Sequence, residues 1–150
     1  MERVEELRKE FEPIMLNYVN RNKNFFFIQI GTNDGVSEDQ IHQLVKKYNW
    51  KGILIEPVRY LFERLVKNYK EQKGLIFLNV AISENNEKRT FYRLKKNNKL
   101  PKWYDQLGSF YKDIVLKHKK YIPDIEKYII SEEVGCATLS KVIQEHKVKK

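Results

Sequence analysis

Hydrophobic residues recur along this chain at two spacings, and the spacing changes after the first 22 residues. Up to that point apolar residues stand three and four positions apart, a pattern that predicts an amphipathic helix over residues 4–19. Pro13 lies inside this pattern, and a proline in a helix interior breaks or kinks the helix, here near Phe11. We therefore expect residues 1–22 to form a helical cap that Pro13 interrupts or bends.

Three short apolar runs follow, at residues 25–30, 52–56 and 75–82. Nearly continuous apolar runs of this length are typical of strands that are buried on both faces of a parallel sheet. Amphipathic stretches at residues 36–48 and 60–69 separate the runs, so strands alternate with helices. This alternation predicts an α/β, Rossmann-like fold with a doubly wound, mostly parallel sheet and flanking helices, because parallel crossovers need the intervening helix.

The regular alternation ends after residue 82. A β-rich run at 90–94 is followed by a basic, aromatic stretch at 95–130, which predicts a lid-like insertion of short helices and loops over the carboxyl edge of the sheet. Residues 132–137 predict a short strand, and Thr138 is placed to cap a last helix at 139–146. A chain of 150 residues is long enough for one domain, so we expect a single domain over 1–150.

The distribution of charge and the few cysteines and histidines limit the kinds of site that the sequence predicts. The net charge of +9 comes from lysines scattered along the whole chain, which indicates a solvated surface more than a focused site for an anionic partner. Cys136 is the only cysteine, so no internal disulfide can form, and it is expected to be a small buried residue at a strand end. His42, His118 and His146 show no ligand spacing, so we expect no metal site. The charged N-terminus and the lack of an apolar run of about 20 residues predict a cytoplasmic protein without a membrane segment.

A glycine turn follows the first apolar run, where ligands bind in doubly wound sheets. Gly31 lets the backbone turn sharply out of the strand, and Gly35 lets the next helix start close to a ligand. Glu56 ends the second run, 21 residues after Gly35, where a carboxylate can accept both hydroxyl hydrogens of a ribose. The turn and the carboxylate together predict a site for a nucleoside cofactor.

The residues inside the turn favour S-adenosylmethionine over a dinucleotide. Asn33 stands where a dinucleotide-binding loop needs its second glycine, and Asp34 adds a negative charge that disfavours a pyrophosphate but suits a sulfonium and an ammonium group. An NAD-dependent oxidoreductase domain is one alternative. A basic nucleic-acid-binding module is the other, since lysines interleave with aromatic residues between 95 and 121.

Five segments stand in a characteristic order in this chain: FIQIGTNDGVSED, KGILIEP, LNVAIS, WYDQLGSF and EEVGCATL. This set resembles the FkbM-type family of S-adenosylmethionine-dependent methyltransferases over most of residues 25–147. The resemblance implies that the first motif, with Gly31, Asn33, Asp34 and Gly35, encloses the methionine end of the cofactor. It also implies that Glu56 binds the ribose.

Further cofactor contacts are implied by the same resemblance. Asn79, Ala81 and Ser83 would lie near the adenine, and Ser109 would belong to a loop that approaches cofactor or substrate, although it is as well suited to begin a helix. Gln29 stands where many methyltransferases carry an acidic residue. Its amide can still form a hydrogen bond to the cofactor but contributes no charge.

The family continues after the last helix with a buried strand and an acidic I-D-x-E-G motif, whereas this chain stops at Lys150. We therefore expect a methyltransferase domain truncated before its C-terminal strands, with no assignable catalytic residue and little turnover by itself. The implied reaction is O-methylation of a hydroxyl on a sugar or small natural product, so the partner would be a small-molecule or glycan methyl acceptor. Exposed sheet edges would also favour a homodimer.

Overall fold

The structure, a computed structural model, describes residues 2–37, 39–97 and 99–148. These ranges contain five α-helices and two β-sheets. Internal contacts divide the chain into two compact units, one formed by residues 1–80 with 143–150 and the other by Ala81–Val142. That both units belong to one domain stays a prediction. None of the helices in the described ranges has the length and apolar character needed to cross a membrane.

The first unit is built on a parallel three-stranded sheet. Its strands are β1 (Phe27–Ile30), β2 (Gly52–Ile55) and β3 (Leu75–Leu78), in the order β1-β2-β3. All four residues of β2 are buried, which is the burial that continuous apolar strands need. The register aligns the ends of all three strands, with Ile55 opposite both Ile30 and Leu78. The three carboxyl ends therefore meet at one edge, as the alternation of strands and helices predicts.

Three helices accompany this sheet: α1 (Glu2–Arg21), α2 (His42–Tyr48) and α3 (Arg59–Asn68). Pro13 lies inside α1 and does not end it, so the break expected near Phe11 is absent. The proline removes only one backbone donor, and tertiary packing supplies most of the stability of such a helix. The helix predicted to begin at residue 36 begins six residues later, because residues 36, 37 and 39–41 are not helical and aspartate side chains hold the backbone there.

The core of the first unit lies between this sheet and its helices. Its buried residues are Leu44, Val45, Trp50, Leu54, Leu65 and Tyr69. Apolar residues of α1 pack against them, among them Phe11 and Met15. Phe25 meets the Trp50 ring edge to face with ring centres 5.0 Å apart, a geometry that aromatic pairs prefer. That the sheet is doubly wound stays a prediction.

The third apolar run forms two strands, not the single strand expected over residues 75–82. β3 ends at Leu78, and the second piece, β4 (Ala81–Ile82), belongs to the other sheet. The side-chain amide of Asn79 donates through Nδ2 to the backbone oxygens of Glu56 and Pro57, at 2.8 and 2.9 Å. These two bonds secure the chain at the point where it leaves the first sheet.

The second unit contains a mostly antiparallel sheet. Its order is β4-β7-β5-β6, where β5 is Lys88–Leu94, β6 is Gly108–Ser109 and β7 is Ile129–Ala137. β5 pairs antiparallel with both β6 and β7, and only the short pairing of β4 with β7 is parallel. The expectation of a mostly parallel sheet is therefore right for the first unit and wrong for the second. β7 is also longer than the strand predicted at 132–137.

In its described part, the stretch at 95–130 forms short helices, loops and the short strand β6. It contains three short 3₁₀ segments, β6 and α4 (Lys112–Leu116). With β5 it encloses a second core, whose buried members are Leu94, Tyr104, Val115, Ile122 and Ile125. This basic, aromatic stretch is therefore well packed. Its placement as a lid over the carboxyl edge of the sheet stays a prediction.

The end of the described chain follows the sequence prediction closely. Cys136 is buried at the end of β7, with 8% of its surface exposed. The last helix, α5, spans Leu139–Glu145, and the hydroxyl of Thr138 accepts a hydrogen bond from the Lys141 N–H at 3.1 Å. Thr138 therefore caps this helix, because its hydroxyl satisfies one of the unpaired amides of the first turn.

Gly52 is predicted to tolerate no side chain. A Cβ at this position would lie 2.5 Å from the backbone oxygen of Phe27, which the β1–β2 pairing holds in place. We expect Gly52→Ala to lower the free energy of unfolding, measured by urea denaturation, by about 1–3 kcal/mol. The neighbouring exposed Lys51→Ala serves as control and should change it by less than about 0.5 kcal/mol. Equal stability of the two variants would contradict the packing described.

Candidate functional site

The turn after β1 uses three residues in the left-handed backbone region. Gly31, Asn33 and Gly35 have φ values of 71°, 52° and 70°. Glycine adopts this region without cost, and asparagine is among the residues that tolerate it best. The N–H groups of Gly31 and Thr32 both donate to the backbone oxygen of Ile55, at 2.9 and 3.1 Å. The motif G-T-N-D-G therefore suits the backbone of a sharp turn anchored to the end of β2.

The other backbone N–H groups of this turn also have acceptors within it or beside it. The Asn33 N–H donates to Oε2 of Glu56 at 2.8 Å, and the Gly35 N–H donates to the Thr32 oxygen at 2.9 Å. The Asp34 N–H donates to the Asn33 side chain. In contrast, the backbone oxygens of Gly31 and Asn33 accept no hydrogen bond from the described ranges of the chain. The turn therefore presents acceptors and not donors.

Glu56 joins the turn to the ends of β2 and β3. Its side chain is 5% exposed, and its Oε1 accepts a hydrogen bond from the Val58 N–H at 2.9 Å, while Oε2 takes the Asn33 N–H. Asn79 in turn donates to the backbone of Glu56 and Pro57. A carboxylate offers about four acceptor positions, and the N–H groups of Asn33 and Val58 take two of them. Glu56 is thus oriented by the backbone on two sides.

Asp34 is buried within the turn, with 3% of its surface exposed. Its carboxylate accepts from the N–H groups of Val36 and Ser37, at 3.1 and 2.8 Å, and forms an ion pair with Arg64 of α3. Burial alone would raise the pKa of Asp34, but the hydrogen bonds from Ser37 and Val36 and the charge of Arg64 lower it overall. These contacts stabilise the turn. Its expected contact with a cofactor stays a prediction.

The two glycines of the turn have different surroundings. A Cβ on Gly35 would lie 2.5 Å from Cδ1 of Leu65 and 2.6 Å from the Tyr69 ring, so its missing side chain allows the turn to pack against α3. A Cβ on Gly31 would meet no atom within 4 Å. Gly31 therefore borders open space, whereas Gly35 does not. Because α2 begins only at His42, the expectation that a helix starts directly after Gly35 is wrong.

A second aspartate, which the sequence reasoning missed, supports the start of α2. Asp39 is 6% exposed, and its Oδ1 accepts from the N–H groups of Ile41 and His42, at 2.8 and 3.2 Å. An aspartate just before an apolar helical pattern is a helix-capping signal. Gln29 donates to its other oxygen at 3.3 Å, so the side chain of Gln29 is engaged with Asp39. The expected contact of Gln29 with a cofactor stays a prediction.

Comparison with known protein families decides between the classes that this geometry leaves open. The family model of the methyltransferase FkbM domain matches residues 29–150, which is most of the chain. The chain belongs to the FkbM methyltransferase family. No curated protein and no solved structure matches this sequence.

The remaining predicted residues of this FkbM-family chain lie in the second unit. Ala81 is buried in β4, opposite Cys136. Ser83 follows β4, and its hydroxyl accepts a hydrogen bond from Arg89 at 3.0 Å. Ser109 accepts from the Tyr111 N–H at 3.1 Å, one residue before α4 begins, which fits its alternative role near a helix start. That these residues contact a cofactor stays a prediction.

The structure brings seven of the ten predicted residues into one region of the first unit. Gly31, Asn33, Asp34 and Gly35 form the turn, Glu56 binds to it, and Asn79 binds to the backbone at Glu56. Gln29 lies in β1, directly before the turn. This FkbM-family chain therefore has one polar, backbone-supported site at the carboxyl ends of β1, β2 and β3.

Replacing Asp34 or Asp39 of this family member by asparagine is predicted to change the free energy of unfolding differently. The pKa of Asp34 is lowered in the folded state, so its stabilisation is present above the unfolded pKa of about 3.9 and is lost as the pH falls through the folded value. We expect Asp34→Asn to lower the free energy of unfolding at pH 7 by about 1–3 kcal/mol. In urea denaturation repeated at pH 3, this difference should shrink.

Asp39 provides the matched control, because burial raises its pKa above the ordinary value. Its ionisation therefore opposes folding as the pH rises from the unfolded to the folded pKa. Asp39→Asn keeps an oxygen for the two helix N–H groups, and we expect its stability at pH 7 to equal or exceed that of the wild type. A larger loss for Asp39→Asn than for Asp34→Asn would contradict these assignments.

Proposed function

We propose that this chain binds S-adenosylmethionine at the carboxyl ends of β1, β2 and β3 and serves a methyl-transfer reaction. The observation that carries the proposal is the polarity of the turn at residues 31–35, whose N–H groups are used internally while two backbone oxygens point to no described donor. Such a turn suits a cationic ligand and not a pyrophosphate. Membership of the FkbM methyltransferase family supports the same cofactor.

Glu56 is the residue proposed to hold the ribose. Its carboxylate is fixed by the N–H groups of Asn33 and Val58, so its orientation does not have to be established when a ligand arrives. The two vicinal hydroxyls of a ribose are donors that match the two oxygens of a carboxylate. Hydrogen bonds from a hydroxyl to a carboxylate are strengthened by the negative charge. They are stronger still for a buried carboxylate, because the local dielectric constant is lower there.

Gly31 marks the place proposed for the methionine end of the cofactor. The absence of a side chain there leaves open space beside the backbone oxygens of Gly31 and Asn33. Carbonyl oxygens carry partial negative charge and favour an ammonium or sulfonium neighbour. Bound S-adenosylmethionine supplies a methyl group activated by its sulfonium. The protein residues align the ligand and exclude water.

The two alternative functions receive less support. An NAD-binding domain needs backbone N–H groups directed at a pyrophosphate, and the turn at 31–35 offers none in the described chain. For a nucleic-acid-binding module, the basic stretch at 95–130 would have to present a focused positive surface. Lys119 and Lys127 in this stretch instead form ion pairs with Glu126 and Asp124. The methyl acceptor proposed is a hydroxyl of a sugar or small natural product.

Gly31→Ala is predicted to weaken cofactor binding with little loss of stability. The new Cβ would enter the open space of the proposed methionine site. Holding an alanine at the positive φ of this position costs about 1 kcal/mol of stability. Gly74→Ala is the matched control, since Gly74 also has a positive φ, 91°, but precedes β3 at the opposite end of the strand. By isothermal titration calorimetry, S-adenosylmethionine should bind Gly74→Ala like the wild type and Gly31→Ala at least about tenfold more weakly.

The same titration with NAD separates the two nucleoside cofactors. We expect no saturable heat with NAD for the wild-type protein, and a loss of S-adenosylmethionine binding in Glu56→Ala. Circular dichroism of each variant establishes that it is folded. Wild-type affinity for S-adenosylmethionine in folded Gly31→Ala, or tight binding of NAD, would refute the proposed site.

A further inference from the structure

Two arginines of the second unit share one face of β5 but differ in their partners. Arg93 forms a bidentate pair with Glu132 of β7, with Nε–Oε1 and Nη2–Oε2 distances of 2.9 and 2.8 Å. Arg89 lies four residues earlier, opposite the apolar Val134 of β7. Within the part of the chain that the structure describes, no acidic side chain lies within ion-pair distance of Arg89. Only one of the two charges is therefore neutralised.

The guanidinium of Arg89 is nevertheless held in position. Its Cζ lies 4.1 Å from the centre of the Phe110 ring, and its Nη1 donates to the hydroxyl of Ser83 at 3.0 Å. Phe110 is supported in turn by Phe91, which is 8% exposed and meets it edge to face at 5.4 Å. Aromatic stacking fixes the plane of a guanidinium and leaves the N–H groups at its edge directed outward.

The hydrogen-bonding capacity at this position exceeds what the chain uses. A guanidinium has five N–H donors, and the described contacts of Arg89 account for one of them. The Ser83 hydroxyl accepts that bond, so its own hydrogen remains a donor for another acceptor. Both side chains are half-buried, and leaving a half-buried cation without a counter-charge is unfavourable. These are the properties of a site that receives an acceptor from outside the chain.

We propose that Arg89, with Ser83 and Phe110, binds an oxyanion group, a carboxylate or a phosphate, of a small-molecule ligand. The rigid fork of a guanidinium matches two oxygens of either group, as the Arg93–Glu132 pair on the same strand illustrates. The oxyanion site rests on contacts of the second unit alone.

The test is the Nε–Hε signal of Arg89 in ¹H–¹⁵N correlation spectra of the full chain, assigned by its loss in Arg89→Lys. Inorganic phosphate and acetate are titrated separately, with chloride at equal ionic strength as control. We expect a saturable shift of the Arg89 signal with one of the two oxyanions, and which one responds distinguishes a phosphate from a carboxylate ligand. Arg59, exposed on α3 and paired with Glu63, is the internal control and should not respond.

Phe110→Leu removes the aromatic face but no charge, and we expect it to weaken the phosphate or acetate response at least several-fold in a folded protein. A response no larger than that to chloride, or an unchanged response in Phe110→Leu, would overturn the oxyanion site.

Discussion

The carboxylate of Glu56 is the group on which the proposed site depends. One oxygen holds the turn after β1 through the Asn33 N–H, and the other holds the start of the segment leading to α3 through the Val58 N–H. A buried carboxylate without such partners would be costly, and the two backbone bonds offset that cost while fixing its direction. The same residue therefore closes the turn and is the one proposed to bind the hydroxyls of a ligand.

Asp34 shows that an acidic residue in a binding motif can have a structural function. Its carboxylate accepts hydrogen bonds from two backbone N–H groups and from the Ser37 hydroxyl, and it forms an ion pair with Arg64. The pairing with Arg64 also links the turn to α3, the helix against which Gly35 packs. The negative charge that the sequence reasoning assigned to the methionine end is thus largely compensated. Backbone oxygens of the turn are the groups that remain for a cation.

In the second unit, the two arginines of β5 differ in whether a carboxylate compensates their charge. Arg93 is neutralised by Glu132 and contributes to the pairing of β5 with β7. Arg89 keeps its charge and is stabilised by Phe110 and Ser83. A protein surface of net charge +9 contains many cations, but most of them are lysines, whose side chains are long and flexible. A guanidinium oriented by an aromatic ring differs from these, because little conformational entropy remains to be lost on binding.

The sequence by itself determined the alternation of strands and helices in the first unit, the glycine turn and the carboxylate at the end of β2. These features depend on local periodicity and on the φ preferences of single residues, such as Gly31. Only the tertiary structure decided that Asp34 turns toward Arg64, that residues 81–82 leave the first sheet, and that β5 and β7 form an antiparallel pair. Each of these joins residues about 30 to 55 positions apart, and such contacts are selected by packing and charge pairing in three dimensions, which no local pattern encodes.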